Sequence, residues 1–276
     1  MKKRKSILKV FLIALISLMT IGGLSSCGQQ TQEKTVKVGI NSADTPIWKL
    51  IKKKVKKDHI NIKIVEFSDY NQPNTALVQN ELGINAFQHR FFLSSWNKAH
   101  HTNLVAIGNT MIQPMAVYSH KVTNLKAVPN GAKVSLPNDA SNEARALELL
   151  EQAGLIKLSP AKNNLPSTKN VINNPHNLKF QVLDAAQTAH SLNDVDIAVI
   201  NGNVAQAAKL KAKDSIYVEK VNHKSKPWVN IIAANKKDRN NPTYKKIVKA
   251  YQSEDVLKVI HRLYGPQAVG AWKVKL

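Results

Sequence analysis

Residues 85–92, NAFQHRFF, place one histidine among three phenylalanines and beside an arginine. An imidazole in this setting can be a metal ligand, a general base, a core residue or one wall of a pocket. The chain has one cysteine and nine histidines, and only His100 and His101 are close together. Adjacent residues on a helix face different directions, and no carboxylate stands at ligand spacing, so the pattern predicts no metal site.

The motifs of the common enzyme classes are absent from the sequence. It contains no GxSxG, HExxH, GxxxxGK[ST] or GxGxxG. The 18 acidic residues do not pair in a way that suggests general acid–base work. The sequence therefore predicts a protein that is not an enzyme and carries no cofactor, which leaves His89 as a core residue or a pocket wall.

The N-terminal segment predicts export. Residues 2–5 are basic, and an apolar stretch follows over residues 7–24, as in a signal peptide. A retained membrane anchor is the alternative, because the stretch is nearly long enough to cross a bilayer. Lys9 interrupts it, however, and the small residues at 22–26 suit a peptidase. Cys27 follows them as in a bacterial lipobox, so we expect cleavage after residue 26 and lipidation of Cys27.

The mature chain is large and strongly basic. Removing 26 residues, five of them basic and none acidic, leaves 250 residues with a formal charge of +17. This length suits one large domain or two lobes. Export and the lack of a recognition motif argue against nucleic acid as the partner. A solvated lysine-rich surface is the simplest interpretation, with attraction to anionic lipids or wall polymers as a possible addition.

Strand and helix patterns alternate along the chain, which is typical of α/β folds with mostly parallel sheets. Residues 27–33 are predicted to be a polar tether, and residues 157–176 a loop with at most one helical turn. Helices are predicted from residue 45 and over 75–82, 93–100, 144–154, 242–251 and 254–264. Strands are predicted at 35–40, 61–67, 84–87, 104–108, 114–119, 132–139, 179–184, 196–202 and 228–235.

Seven stretches of the sequence resemble the methionine-binding lipoproteins of ABC importers, the MetQ/NlpA family. They follow the family's order across nearly the whole mature chain, so that together they are specific although each alone is weak. They are VEFSDYNQPNTAL (65–77), NAFQH (85–89), PMAVYS (114–119), PNDASNEARALELLEQAGLIKL (137–158), NNPHNLKF (173–180), DVDIAVINGN (194–203) and AYQSEDV (250–256).

The resemblance implies a two-lobed α/β fold like that of type II periplasmic binding proteins. Two crossover strands would join the lobes, and the ligand would bind in the cleft between them. The crossovers are expected near Gln113 and Trp228. Residues 34–113 and 229–276 would then form lobe 1, and residues 114–228 would form lobe 2.

Three polar residues are expected to hold the amino-acid end of a ligand. Arg145 is placed in the first turn of a predicted helix, where a guanidinium can hold a carboxylate by two parallel hydrogen bonds. From the residues alone, it could equally be a surface arginine paired with Glu143 or Glu148. Asn203 and Asn230 could be turn or cap residues; the resemblance implies that all three bind the ligand. Asn201 is expected to be structural.

Four further residues match the family's aromatic pocket wall: Tyr70, Phe87, His89 and Phe92. Soft thioether sulfur packs well against aromatic rings, although ordinary core packing would also explain these residues. His89 would offer the ligand one polar edge, and Arg90 would be a solvated neighbour. Ala86 and Phe91 depart from the family's usual pattern, which leaves another apolar amino acid or a methionine-containing dipeptide open as the ligand.

The resemblance implies a monomeric receptor, lipid-anchored on the outer face of the cell membrane, of the Gram-positive type. It would capture L-methionine and deliver it to an ABC permease that works with a cytoplasmic ATPase. A basic surface adhesin is the alternative from another functional class.

Overall fold

The structure is a computed structural model that describes residues 33–274. The predicted signal peptide, Cys27 and the predicted tether up to residue 32 lie outside the described residues. Within residues 33–274, no helix is both long and apolar enough to cross a membrane.

Fourteen strands and seven α-helices make up this part of the chain. The strands are β1 (Lys34–Asn41), β2 (Ile60–Phe67), β3 (Ile84–Ala86), β4 (Val105–Asn109), β5 (Met111–Ile112), β6 (Ala116–Tyr118), β7 (Lys133–Pro137), β8 (Lys157–Leu158), β9 (Val171–Asn173), β10 (Lys179–Leu183), β11 (Ile197–Ile200), β12 (Tyr217–Val218), β13 (Ile231–Ala234) and β14 (Val269–Gly270). The helices are α1 (Thr45–Val55), α2 (Gln72–Val78), α3 (Arg90–His100), α4 (Ala140–Gln152), α5 (Gly202–Ala207), α6 (Pro242–Tyr251) and α7 (Glu254–Tyr264).

Two five-stranded sheets confirm the predicted two-lobed α/β fold. The first sheet has the order β2-β1-β3-β13-β4, and the second has the order β10-β7-β11-β6-β12. The chain leaves the first sheet after β4 and returns to it at β13. Each sheet packs its own apolar core, the first against α1, α6 and α7 and the second against α4.

In each five-stranded sheet, four strands run in the same direction, as predicted, and one runs against them. β1 pairs in parallel with β2 and β3, and β7 with β10 and β11. The two strands that receive the chain from the other lobe, β13 and β6, are antiparallel to both of their neighbours. A strand that enters a sheet from the edge where its neighbours end must run in the opposite direction, so the crossovers dictate the mixed pairing.

Three helices begin three or four residues earlier than predicted, because polar side chains cap them. Asp69 accepts hydrogen bonds from the backbone N–H groups of residues 71 and 72 before α2. His89 Nδ1 accepts one from Phe92 N at the start of α3, and Asp139 accepts one from Asn142 N at the start of α4. Such caps satisfy backbone donors that the first helical turn leaves unpaired.

The predicted loop at residues 157–176 contains short structure. β8 and β9 pair there as a small antiparallel ladder. Short 3₁₀ turns lie between them. Each strand is only two or three residues long, which is too short to leave a clear alternation in the sequence.

Asp44 is a buried acid in the 3₁₀ turn Ser42–Asp44, between β1 and α1. Its carboxylate accepts a hydrogen bond of 2.6 Å from the Tyr264 hydroxyl. Burial raises the pKa of Asp44 to about 7, and the hydrogen bond from Tyr264 opposes that rise only in part. Removing an ionised carboxylate from water is costly, which is the cause of the shift.

We therefore expect Asp44→Asn to stabilise the protein at pH 8 and to have little effect below pH 4. Between these values the folded protein holds a proton on Asp44 that the unfolded chain has lost. Asp44 alone should thus lower the free energy of unfolding of the native protein by up to ~1.4 kcal/mol for each unit by which the pH rises in this range. Urea unfolding of both proteins at several pH values measures the difference.

Asp58→Asn is the matched control for this measurement. Lys246 lowers the pKa of Asp58, so this variant should lose a small amount of stability above pH 4 rather than gain it. An Asp44→Asn difference that does not change with pH would show that folding leaves the pKa of Asp44 unchanged, which would contradict the prediction.

Candidate functional site

A narrow cavity lies between the two sheets, at the ends of several strands. All seven residues predicted to bind a ligand line it together. The lining comprises Tyr70, Phe87, Gln88, His89, Phe92, Gln113, Asn142, Arg145, Asn201, Gly202, Asn203 and Asn230.

The fold brings these residues together because they follow strand ends or begin helices. Tyr70 follows β2, and His89 lies between β3 and α3. Asn203 is in the first turn of α5, directly after β11. Asn230 precedes β13 and is held by two backbone hydrogen bonds of 2.8 Å, its N–H donating to Met111 and its carbonyl accepting from Thr110.

Three aromatic rings form one wall of the cavity. Tyr70, Phe87 and Phe92 lie with their ring centroids 5.7 to 6.0 Å apart, and two of the three ring pairs meet edge to face. Edge-to-face packing is the favoured arrangement of aromatic pairs. The resulting wall is apolar except for the Tyr70 hydroxyl.

His89 is buried, and both of its ring nitrogens are hydrogen-bonded. Because Nδ1 accepts the Phe92 N–H, the proton is assigned to Nε2, which donates to Asn142 Oδ1 at 3.2 Å. Burial, with Arg145 nearby, lowers the pKa of His89 to about 3, so the ring is neutral. The expectation that His89 offers a ligand a polar edge is therefore wrong for this arrangement, since the ring can present only carbon.

Asn142 is the centre of a buried polar network that the sequence did not indicate. Its Oδ1 accepts from His89 and from Asn201 Nδ2, and its Nδ2 donates to Asp139 at 2.9 Å. Asn201 was expected to be structural, but it lines the cavity. Among the described residues, its buried Oδ1 has no hydrogen-bond partner. An unpaired buried acceptor is costly, so this oxygen suits a donor group of a ligand.

Arg145 is 3 % exposed and pairs with Glu219, which is also buried. Its Nε and Nη2 donate to the two carboxylate oxygens at 2.9 and 2.6 Å. The alternative of a surface arginine paired with Glu143 or Glu148 is therefore wrong. Arg145 is also in the second turn of α4 rather than the first, because the helix begins at Ala140.

Further contacts fix the Arg145 guanidinium between the two crossovers. Nη2 also donates to the Gln113 backbone carbonyl at 3.0 Å, and the group lies 5.1 Å from the ring centre of Trp228. Trp228 also packs edge to face on His89 at 5.1 Å. The Nη1 group takes part in none of these hydrogen bonds.

Two side-chain hydrogen bonds cross the cavity directly between the sheets. The Tyr70 hydroxyl donates to Asn203 Oδ1 at 2.7 Å, and the second is the bond from His89 to Asn142. Arg90 lies beside this region but is exposed and donates to Asn109 instead, as expected of a solvated neighbour. The two lobes are thus closed against each other at the site.

Glu219 and Asn142 could not be identified from the sequence alone. Glu219 lies 74 positions from Arg145, and Asn142 is indistinguishable from an ordinary residue of a first helical turn. Trp228 was noted only as a crossover position. In the described part of the chain, no group of three or more histidines, cysteines or acids could hold a metal ion.

A profile of the NlpA lipoprotein family matches residues 36–272. Among curated proteins, the D-methionine-binding lipoprotein MetQ of Escherichia coli strain K12 is 36% identical over 265 residues. That alignment covers 94% of this chain and 96% of the relative.

Two solved structures are also similar to this chain. The substrate-binding protein of a methionine transporter from Streptococcus pneumoniae is 41% identical, with a TM-score of 0.82 over 86% of this chain and 96% of that chain. A nutrient-binding protein from Burkholderia cenocepacia bound to methionine is also 41% identical. Its TM-score is 0.81 over 86% of this chain and 99% of that chain.

We expect Glu219→Ala to destabilise the fold by about 3–5 kcal/mol, because it leaves Arg145 buried without a counter-charge. Replacing both partners, as Arg145→Met with Glu219→Leu, should restore most of that loss. Chemical unfolding of the single and double variants measures it.

Asp58→Ala is the control for this prediction, since it breaks the exposed pair between Asp58 and Lys246. It should change stability little. Equal losses of stability in Glu219→Ala and Asp58→Ala would contradict the prediction that an unpaired charge costs more in the buried pair than in the exposed one.

Proposed function

The chain belongs to the NlpA lipoprotein family, and we propose that it is a non-catalytic receptor that captures methionine for an ABC importer. Relatives and solved structures named for methionine binding or methionine transport align over most of the chain. The cavity supports the same function, because charged, amide and aromatic side chains converge in one enclosed space.

The single observation that carries the proposal is the placement of Arg145. Its Nε and Nη2 are occupied by Glu219, so the guanidinium is held in one orientation. The Nη1 group remains to donate to a ligand carboxylate. A cation already paired with Glu219 attracts a free anion weakly, which favours a zwitterion that brings its own ammonium group.

The ammonium and the side chain of the ligand find different partners. The buried Oδ1 of Asn201 and the amides of Asn203 and Asn230 offer acceptors for an ammonium group. The wall of Tyr70, Phe87 and Phe92 suits a thioether, since sulfur packs favourably against ring edges and faces. The neutral ring of His89 extends this wall.

We assign residues 34–113 and 229–276 to lobe 1, and residues 114–228 to lobe 2, joined near Gln113 and Trp228. Closure of the lobes around the ligand would make the contacts from Tyr70 to Asn203 and from His89 to Asn142. A partner permease would then distinguish the closed receptor from the open one.

The receptor would act outside the cytoplasm as a monomer, held to the cell membrane by lipid on Cys27. The lipoprotein names of its family support this placement. Its partners would be a permease and the cytoplasmic ATPase of the same importer, on the surface of a Gram-positive cell.

Isothermal titration of the mature chain, stripped of ligand by unfolding and refolding, should show one methionine site. D-methionine, leucine and glutamate are the comparison ligands, and glutamate should bind much more weakly because it adds an uncompensated charge. Mass spectrometry of material that co-purifies with the protein identifies the natural occupant. The absence of both binding heat and a thermal shift at millimolar methionine would contradict the proposal.

Arg145→Lys should weaken methionine binding by about 10- to 100-fold, which corresponds to ~1.4–2.8 kcal/mol. Lysine keeps the charge beside Glu219. Its single ammonium nitrogen cannot, however, donate to that carboxylate and to a ligand in the geometry that the planar guanidinium allows. Titration calorimetry, with thermal unfolding to confirm folding, measures the effect.

Arg90→Lys is the matched control for this substitution. Arg90 follows the cavity residue His89 but does not itself line the cavity, so binding should not change. Wild-type affinity in Arg145→Lys would rule out the assigned role of Arg145.

A further inference from the structure

The strands of the first sheet have one set of ends at the cavity and the other set on the opposite side, here called the basal edge. The connections between helices and strands lie at the basal edge. Lys34 of β1 pairs with Ile60 of β2, and Val105 of β4 pairs with Ala234 of β13. Strands β1 to β4 therefore begin at this edge, and β13 ends there. The cavity lies at the other ends of the same strands.

The connections at the basal edge are strongly basic. The segments 33–34, 52–59, 79–83, 98–104 and 235–246 hold twelve lysine and arginine residues against four acids. All but one of these cations are exposed, Lys54 being half-buried. The exposed cations are Lys34, Lys52, Lys53, Lys56, Lys57, Lys98, Lys236, Lys237, Arg239, Lys245 and Lys246.

Few acids neutralise this surface. Asp58 pairs with Lys246 at 2.9 Å, and Lys54 pairs with Asp255 of α7 at 2.8 Å. The remaining acids of these segments are Glu33, Glu81 and Asp238. The basal edge therefore carries a large excess of positive charge.

The basal edge is also where the N-terminal chain joins the fold. Lys34 N donates to the carbonyl of His59, the residue that ends the lysine-rich segment 52–59. Seven residue steps separate Cys27 from Lys34, and a fully extended chain spans about 3.5 Å per residue. A lipid on Cys27 would therefore hold the basal edge within about 25 Å of the bilayer.

We propose that the basal edge is a docking surface for anionic phospholipid head groups. The proposal rests on the lipid anchor in the proposed function, and it adds a second, electrostatic attachment to the same membrane. A polybasic surface beside a lipid anchor binds anionic bilayers cooperatively with it, each lysine contributing about fivefold to partitioning. The cavity, at the opposite edge, stays free to take up ligand.

Sedimentation of the mature chain with vesicles tests this surface without the anchor. The protein is residues 27–276 with Cys27→Ala, and the vesicles are phosphatidylglycerol with phosphatidylcholine, or phosphatidylcholine alone, at 0.1 M salt. We expect binding only to the anionic vesicles, with a steep decline as salt is raised.

The test variant carries Lys53→Gln, Lys56→Gln and Lys57→Gln, and should lose at least about tenfold in partitioning. The control variant carries Lys126→Gln, Lys169→Gln and Lys179→Gln. These three lysines are exposed on the second lobe, so the net charge changes equally. The control should lose less than about threefold, and both variants should keep thermal stability and methionine binding.

Equal losses in the two variants would overturn the proposal, because they would show that vesicle binding depends on net charge and not on the basal edge. No binding to anionic vesicles by a protein that still binds methionine would overturn it while leaving the proposed function intact. Tighter binding to soluble polyglycerol phosphate than to vesicles would also overturn it, in favour of a wall polymer as the partner.

Discussion

The burial of one guanidinium constrains the rest of this structure. Arg145 is removed from water between the lobes, where a lone cation would be prohibitively costly. Its charge requires Glu219, its Nη2 requires the Gln113 carbonyl, and its flat face lies against Trp228. These partners come from the end of β12 and from both crossovers, so the positions of the lobes follow from where Arg145 can be satisfied.

The cavity is built from groups that serve the protein and a ligand in different ways. The Asn142 network and the bond from Tyr70 to Asn203 hold the lobes together across the site. The neutral ring of His89 has both roles: its nitrogens take part in the hydrogen bonds between the lobes, and its carbons extend the aromatic wall. Only a few polar atoms, including Asn201 Oδ1, remain for recognition. With few polar atoms available, such a site selects a ligand whose charged groups lie where those atoms can pair with them.

The topology separates the two faces of the first lobe. Because β1 to β4 all run toward the cavity, their starts and the lysine-rich connections are displaced to the basal edge. The same arrangement places Lys34, the first residue of β1, beside the end of the segment 52–59. The cavity residues and the lysine-rich connections can therefore vary in sequence independently, since they lie at opposite ends of the same strands.

The sequence by itself determined the family, the two-lobed fold and seven residues that the structure gathers in one cavity. The seven residues came from the resemblance to the family, because the residues alone left core, turn and surface roles open for them. It did not reveal the antiparallel crossover strands, the cap that His89 makes on α3, or the pairing of Arg145 with Glu219. Those depend on contacts between positions up to 74 residues apart, and on helix starts whose capping geometry no periodicity encodes. Only the tertiary structure decides which buried groups satisfy one another.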